Sequence, residues 1–169
     1  MNKQSFIIII CMAALLTVIS VIYFAGFISP VGDPEGLTIE IIHKGNVIEA
    51  DRDLITGLQG ETFNAVIRSS GQKPRETEYT GVPLSGLLLE MNINMENNKQ
   101  VIITGSDGYV VVVTAEEINE PKNTYIAYAI DGEEIKPRKK GGVGPYQLII
   151  RKDGFSQRWC KYVTQIEII

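Results

Sequence analysis

The sequence predicts an α+β domain of mixed β-sheets with a few short helices, preceded by one transmembrane helix. One observation is an uncharged, almost entirely apolar run of 23 residues from Phe6 to Ile28. At about 1.5 Å per residue, this run forms a helix long enough to cross a hydrocarbon core of about 30 Å. The other observation is a series of short β-type segments after this run, separated by Gly, Pro, Asn and Asp, with two or three short helical segments between them.

The apolar run is predicted to be a retained membrane anchor. It is longer than the apolar region of about 7–15 residues in a cleaved signal peptide, and no Ala-x-Ala-like cleavage site follows it. Lys3 flanks its start, whereas Asp33 and Glu35 flank its end, so the positive-inside rule places the N-terminus in the cytoplasm. We therefore expect a single-pass protein of the cell membrane, with residues 1–30 as anchor and start of the linker and residues 31–169 as an extracytoplasmic domain.

Charge and cysteine content exclude two classes of protein. Of 16 Lys and Arg residues only Lys3 lies in the anchor, and none of the 20 Asp and Glu residues does, which leaves 15 cations, 20 carboxylates and a net charge of −5 for the domain. This balance argues against a nucleic-acid partner, which requires a basic surface. Cys11 lies in the apolar run and Cys160 near the C-terminus, so they cannot pair, and a disulfide scaffold is excluded.

The first elements of the domain follow from alternating polarity and from capping residues. Strands are predicted at Leu37–Ile42, Asn46–Ala50 and Thr62–Ser69. Asp51 is expected to cap a short helical turn that Gly57 ends.

A polar loop and a helix are predicted next. The loop covers Ser70–Arg75, and the helix begins at Gly81, with Pro83 in its first turn, where the missing N–H does no harm.

A β-hairpin is predicted in the middle of the domain. Its strands, Val101–Thr104 and Tyr109–Val113, are joined by the turn Gly105–Gly108. The second strand carries apolar side chains on both of its faces. We therefore expect it at the centre of a sheet, covered on both faces. Thr114 is expected to cap a short helix over Ala115–Ile118.

The last three strands are predicted at Tyr125–Ile130, Tyr146–Ile150 and Trp159–Ile169. Side chains alternate between the two faces of a strand. The final segment therefore places Cys160 on its apolar face, as a packed core thiol, and Lys161 on its polar face.

Most catalytic and metal-binding patterns are missing from the sequence. His43 is the only histidine and is expected at the surface; together with Cys160 it falls short of the four ligands of structural zinc. The basic run Lys136–Lys140 and the glycine-rich segment Gly141–Pro145 could hold an anion through ammonium and backbone N–H groups, although a flexible solvated loop is the competing interpretation. Four carboxylates are expected to be solvated: Glu116, Glu117, Glu133 and Glu134.

Five segments, taken in order, resemble the sulfite-oxidase-type oxidoreductase molybdopterin-binding domain family. Tyr79–Leu88 is similar to the family's Gly-Val-Pro-Leu block, and Val101–Tyr109 to its next strand and Ser-x-Asp-Gly-Tyr-like turn. Ile126–Glu133, Gly144–Leu148 and Trp159–Glu167 resemble its later blocks. The resemblance covers residues 63–169 and implies the sulfite-oxidase-like molybdopterin-binding fold.

The resemblance also implies the position of a cofactor site. In that family, the turn before the Gly-Val-Pro-Leu block carries a Cys whose thiolate binds molybdenum; in this sequence Ser69 occupies that position, Gln72 replaces an Asn, and Gln147 stands where the family often has Arg. A thiolate is a soft ligand suited to this metal, whereas a serine oxygen is harder. The implied cofactor-binding residues are Arg68, Ser69, Ser70, Gly71, Gln72, Gly144 and Lys161.

Two functions remain open at this stage. The first is a degenerate ligand-binding or redox-accessory module without a catalytic metal centre; it would bind no molybdenum cofactor, take a small anionic ligand, and act at the membrane beside another membrane or redox protein. The second is a minimal molybdopterin-dependent oxidoreductase, an enzyme in which Ser69 replaces the thiolate ligand.

Overall fold

Two five-stranded β-sheets share one buried apolar core in the computed structural model, which describes residues 37–96 and 99–169. The predicted anchor at Phe6–Ile28 lies outside the described residues. Within them, no helix is long and apolar enough to cross a membrane.

The first sheet has the strand order β2-β1-β10-β5-β6. Its strands are β1 (Ile39–His43), β2 (Asn46–Ala50), β5 (Gln100–Gly105), β6 (Val110–Thr114) and β10 (Val163–Ile168). Strands β1 and β10 are parallel, and the other neighbours are antiparallel, so the sheet is mixed, as predicted.

The second sheet is antiparallel and has the order β3-β4-β7-β8, with β9 also paired to β7. Its strands are β3 (Glu61–Ile67), β4 (Arg75–Pro83), β7 (Thr124–Ile130), β8 (Glu133–Glu134) and β9 (Gln147–Ile150). Aromatic side chains fill the core beside it: the ring centroids of Phe63 and Tyr125 lie 4.1 Å apart, and Trp159 meets Tyr79 edge-on at 6.0 Å.

In residues 37–96 and 99–169, three short α-helices and two 3₁₀ turns connect the strands. They are α1 (Arg52–Gly57), α2 (Leu84–Glu90), α3 (Ala115–Asn119) and the 3₁₀ turns Arg138–Lys140 and Ser156–Arg158. Both predicted caps are confirmed: the Leu54 N–H donates to the Asp51 carboxylate at 2.8 Å, and Thr114 forms a capping box with Glu117.

Strand β4 replaces the loop end and the helix start predicted from the sequence. The segment Arg75–Pro83 alternates exposed charged residues with the buried side chains of Thr77 and Tyr79, an amphipathic pattern that its Glu and Thr content concealed. The predicted helix start at Gly81 is therefore wrong; α2 begins at Leu84, directly after Pro83.

Strand β6 lies at the edge of its sheet, so the prediction of a central strand covered on both faces is wrong. Among the described residues it pairs with β5 alone, and Val110 and Val112 are 54% and 43% exposed. An apolar run indicates that a strand forms, but it does not specify how many neighbours the strand acquires.

The final strand begins at Val163 and not at Trp159. Tyr162 adopts a left-handed backbone with φ of +55°, which interrupts extended structure, and the register with β5 shifts between Val163 and Gln165. The predicted burial is nevertheless confirmed, because Cys160 is fully buried and Lys161 is exposed.

Candidate functional site

The predicted cofactor loop starts where β3 ends, and all of its candidate residues are exposed. They are Arg68, Ser69, Ser70, Gly71 and Gln72. The Gln72 N–H donates to the Ser69 carbonyl at 3.2 Å. Gly71 has φ of +74°, a conformation that glycine adopts without steric cost. The segment is a tight surface turn that presents Ser69 to solvent.

This loop is attached to the 3₁₀ turn Ser156–Arg158. The Arg68 N–H donates to Ser156 Oγ at 3.0 Å, and Ser156 Oγ donates back to the Arg68 carbonyl at 2.9 Å. The Ser156 N–H reaches the same carbonyl at 3.2 Å. Both polar groups of the Arg68 backbone are therefore satisfied, and the Arg68 guanidinium is not needed to hold the loop.

Lys161 and Gly144 are brought together from separate parts of the chain. Lys161 forms an isolated β-bridge with Gln147, and the Tyr162 N–H donates to the Val143 carbonyl at 3.2 Å. Gly144 is buried beside this contact, whereas Lys161 is exposed. The structure thus brings together the two segments that carry Gly144 and Lys161, and it separately ties the loop at Arg68 to Ser156.

The glycine-rich segment does not offer the backbone anion site that its sequence left open as an alternative to a solvated loop. Three of its N–H groups donate to carbonyls inside the fold: Gly141 to Arg138 at 2.9 Å, Gly142 to Pro137 at 3.1 Å and Gly144 to Lys136 at 3.0 Å. A Cβ atom on Gly142 would lie 1.9 Å from the Lys136 carbonyl oxygen. The alternative interpretation, a solvated loop, agrees with the exposure of Lys136 and of residues 138–141, but not with the burial of Gly144 and Pro145.

Gln147 lies at the position where the resemblance places an Arg in related proteins. Its side chain is 5% exposed, and its Oε1 has no hydrogen-bond partner among the described residues. An amide at this point supplies no positive charge for an anionic cofactor.

An ion-pair network that the sequence analysis missed stabilises the segment leading to Lys161. Arg158 Nη2 donates to Glu117 Oε1 at 2.6 Å and also to Asp153. Burial tends to raise the pKa of Glu117, but hydrogen bonds from Arg158 and Thr114 outweigh it and lower that pKa below its usual value. The expectation that Glu117 is simply solvated is therefore wrong; only the capping pattern at Thr114 hinted at a second role.

The thiol of Cys160 is buried in the hydrophobic core. Burial, with a smaller contribution from the Asp107 carboxylate, raises its pKa to about 12. The Sγ atom lies 3.4 Å from the Lys161 carbonyl oxygen. Within residues 37–96 and 99–169, no cluster of three or more His, Cys, Asp or Glu side chains is arranged to hold a metal ion.

Lys161 and the loop at residues 68–72 line neither of two clefts on the surface of the described part of the chain. One, of about 340 Å³, is lined by Leu58, Gln59, Glu61, Val82, Pro83 and Gly86. The other, of about 250 Å³, is named here the basic cleft and is lined by Leu37, Arg52, Glu134, Ile135, Lys136, Pro137, Lys140 and Pro145.

Comparison with known proteins points to one family. The family model for the oxidoreductase molybdopterin binding domain matches residues 58–169. Among solved structures, the chain is similar to the crystal structure of the sulfane dehydrogenase SoxCD from Paracoccus pantotrophus, with a TM-score of 0.62 at 21% identity. The similarity covers 78% of this chain and 37% of that one. No curated protein matches the chain.

The donor atoms at the predicted cofactor loop do not fit a thiolate-bound molybdenum. Residue 69 offers a hydroxyl, a poorly acidic and hard donor. In the part of the chain that the structure describes, the one thiol is that of Cys160, which is buried and holds its proton.

Proposed function

Since the chain belongs to the oxidoreductase molybdopterin-binding domain family, we propose that it is a ligand-binding or redox-accessory module of that family without a catalytic metal centre. The observation that carries this proposal is the chemistry of residue 69. The exposed Ser69 occupies the position where the resemblance implies a cysteine thiolate that binds the metal. Cys160 is fully buried, so its thiol is not available as a replacement ligand.

Metal analysis tests the proposal. The full chain, produced in a host that makes the molybdenum cofactor, is expected to carry no stoichiometric molybdenum or tungsten and no pterin that fluoresces after oxidation. Ser69→Cys restores the soft donor at an exposed position. Metal gained by this variant alone would support the loss of the ligand as the cause. Ser70→Cys, one residue away in the same turn, is the matched control.

The proposed ligand is a small anion that contacts Arg68 and Lys161. Both side chains are exposed, and the hydrogen bonds of Arg68 to Ser156 involve only its backbone, so Arg68→Ala and Lys161→Ala should keep the fold. A ligand that binds only the native state stabilises it by about 2.7 kcal/mol at a hundredfold excess over Kd.

Thermal melting in phosphate, sulfate and molybdopterin provides the measurement. Stabilisation by an anion in the wild type, reduced in Arg68→Ala and Lys161→Ala, supports the site. Lys44→Ala, which removes an exposed cation in the turn between β1 and β2, is the matched control. Equal anion responses in wild type, Arg68→Ala and Lys161→Ala contradict the proposed ligand contacts.

A second candidate function is a minimal molybdopterin-dependent oxidoreductase in which Ser69 takes the place of the thiolate. It is favoured by the exposure of Ser69 in a turn with an ordered hydrogen bond to Gln72, which leaves an accessible oxygen donor. Stoichiometric molybdenum in the wild type, lost in Ser69→Ala, would establish this function and overturn the first.

The proposed location is the cell membrane, with the domain outside the cytoplasm and beside another membrane or redox protein. The uncharged run Phe6–Ile28 supports the anchor. Protease added to intact cells with an opened wall should digest the domain. A protected domain, or a mature N-terminus near residue 30, would contradict this topology.

A further inference from the structure

The basic cleft concentrates positive charge on an otherwise acidic domain. Four of the five residues from Lys136 to Lys140 are cationic, and Lys136 and Lys140 line the cleft together with Arg52. Among the described residues, the carboxylate that lines the cleft is that of Glu134, which pairs with Arg52 at 2.7 Å. The exposed cations Lys136, Arg138 and Lys139 lie in the chain segment that follows, whereas residues 31–169 as a whole carry −5.

The backbone that presents these cations is held in place. The N–H groups of Gly141, Gly142 and Gly144 donate to the carbonyls of the basic segment, and the Arg138 guanidinium lies 5.5 Å from the centre of the Tyr162 ring. The cations thus extend from a fixed 3₁₀ turn, so that little backbone entropy is lost when they bind a partner.

The cleft also lies where the chain enters the domain. Leu37 lines it, and the Leu37 carbonyl accepts a hydrogen bond from the Tyr146 hydroxyl at 2.7 Å. Only residues 29–36 separate this point from the end of the uncharged run at Ile28. Eight residues span at most about 30 Å when fully extended.

We propose that the basic cleft binds the anionic lipid headgroups of the membrane in which the chain is anchored, and so orients the domain on its surface. This inference rests on the proposed anchor. Basic residues close to a membrane surface are attracted to anionic lipids, and the attraction falls off within a Debye length. A short connection keeps the cleft within reach of the headgroups, while the acidic remainder of the domain is repelled from them.

The test uses the full chain reconstituted in vesicles of phosphatidylcholine, with or without phosphatidylglycerol. Trypsin cleavage at residues 138–140 is measured against cleavage after Lys44 in the exposed turn between β1 and β2 of the same molecule, which corrects for the activity of the protease on each vesicle. We expect cleavage at 138–140 to be about fivefold slower or more in the anionic vesicles, and the protection to disappear at high salt.

Two double variants that each remove two positive charges distinguish a specific role of the basic cleft from a general effect of net charge. Lys136→Gln with Lys139→Gln should abolish the protection while leaving Arg138 and Lys140 as cleavage sites. Lys73→Gln with Arg75→Gln, in the exposed loop between β3 and β4, should leave it intact.

The outcomes distinguish this inference from the anchor on which it rests. A chain that floats with both kinds of vesicle but is cleaved equally in both overturns the lipid site and leaves the anchor standing. A chain that floats with neither overturns the anchor and the inference with it. Equal protection by soluble glycerol phosphate in neutral vesicles would assign the cleft to a free phosphate ester and overturn the lipid site.

Discussion

Ser156 satisfies both backbone polar groups of Arg68, 88 residues earlier in the chain, through bonds of 3.0 and 2.9 Å at its hydroxyl. This contact fixes the start of the predicted cofactor loop to the segment that leads through Trp159 to Lys161. Because the contact uses the backbone of Arg68, it holds for any side chain at that position.

Ser156→Ala is expected to destabilise the fold by about 0.5–1.5 kcal/mol, because it removes both hydroxyl hydrogen bonds to the Arg68 backbone at a position that water can reach. Limited proteolysis should also become faster within residues 68–74. The midpoint of chemical denaturation, followed by the fluorescence of the single tryptophan Trp159, measures the first effect. Ser70→Ala, in the exposed turn, should change neither; equal effects of the two substitutions would contradict the role of Ser156.

Glu117→Gln is expected to cost about 1–2 kcal/mol at neutral pH, a value reduced for solvent because the Arg158 side chain is 42% exposed. The pKa of Glu117 is lowered in the fold, so the carboxylate stabilises the native state fully above its unfolded pKa. The stability difference between wild type and variant should therefore shrink as the pH falls below the ordinary value of 4.5.

Denaturation curves from about pH 3 to about pH 7, a range that spans the ordinary glutamate pKa of 4.5, measure this dependence. Glu116→Gln, on the exposed side of the same helix, provides the comparison. If the stability difference between wild type and Glu117→Gln were constant with pH, the ion pair between Glu117 and Arg158 would not form.

Cys160 should react very slowly with thiol reagents in the native protein, because the side chain is buried and burial raises its pKa to about 12, while the thiolate is the reactive species. Labelling is compared in the native and the unfolded state of a Cys11→Ser variant, so that one thiol is counted. Rapid labelling of the native state would show that the approach to the last strand is placed incorrectly.

Gly142→Ala should destabilise the domain by about 2–3 kcal/mol or prevent its folding, because overpacking against backbone atoms forces a shift. The new Cβ would lie 1.9 Å from the Lys136 carbonyl oxygen. Gly154→Ala, where nothing lies within 4 Å of the added atom, should be nearly neutral. Thermal melting of the two variants compares them, and similar melting temperatures would disprove the packing of residues 141–144 against 136–138.

Several features could be read from the sequence because they depend on residues that are close together in the chain. Asp51 and Thr114 cap their helices through N–H groups three residues away. The apolar and polar sides of the last segment place Cys160 inside and Lys161 outside. The family resemblance was read from short sequence blocks between residues 63 and 169, and the family model matches residues 58–169.

Other features were decided only by contacts between distant segments. The valines of β6 indicate a strand, but its place at the sheet edge follows from the absence of any partner but β5. The ion pair of Glu117 depends on Arg158, 41 residues later. The N–H groups of Gly141, Gly142 and Gly144 looked available for an anion, yet the folded chain places carbonyls opposite each of them. A buried backbone N–H or C=O group forms a hydrogen bond with whichever partner the fold brings within about 3 Å. The packing of the sheets determines that partner, and the neighbouring residues in the sequence do not.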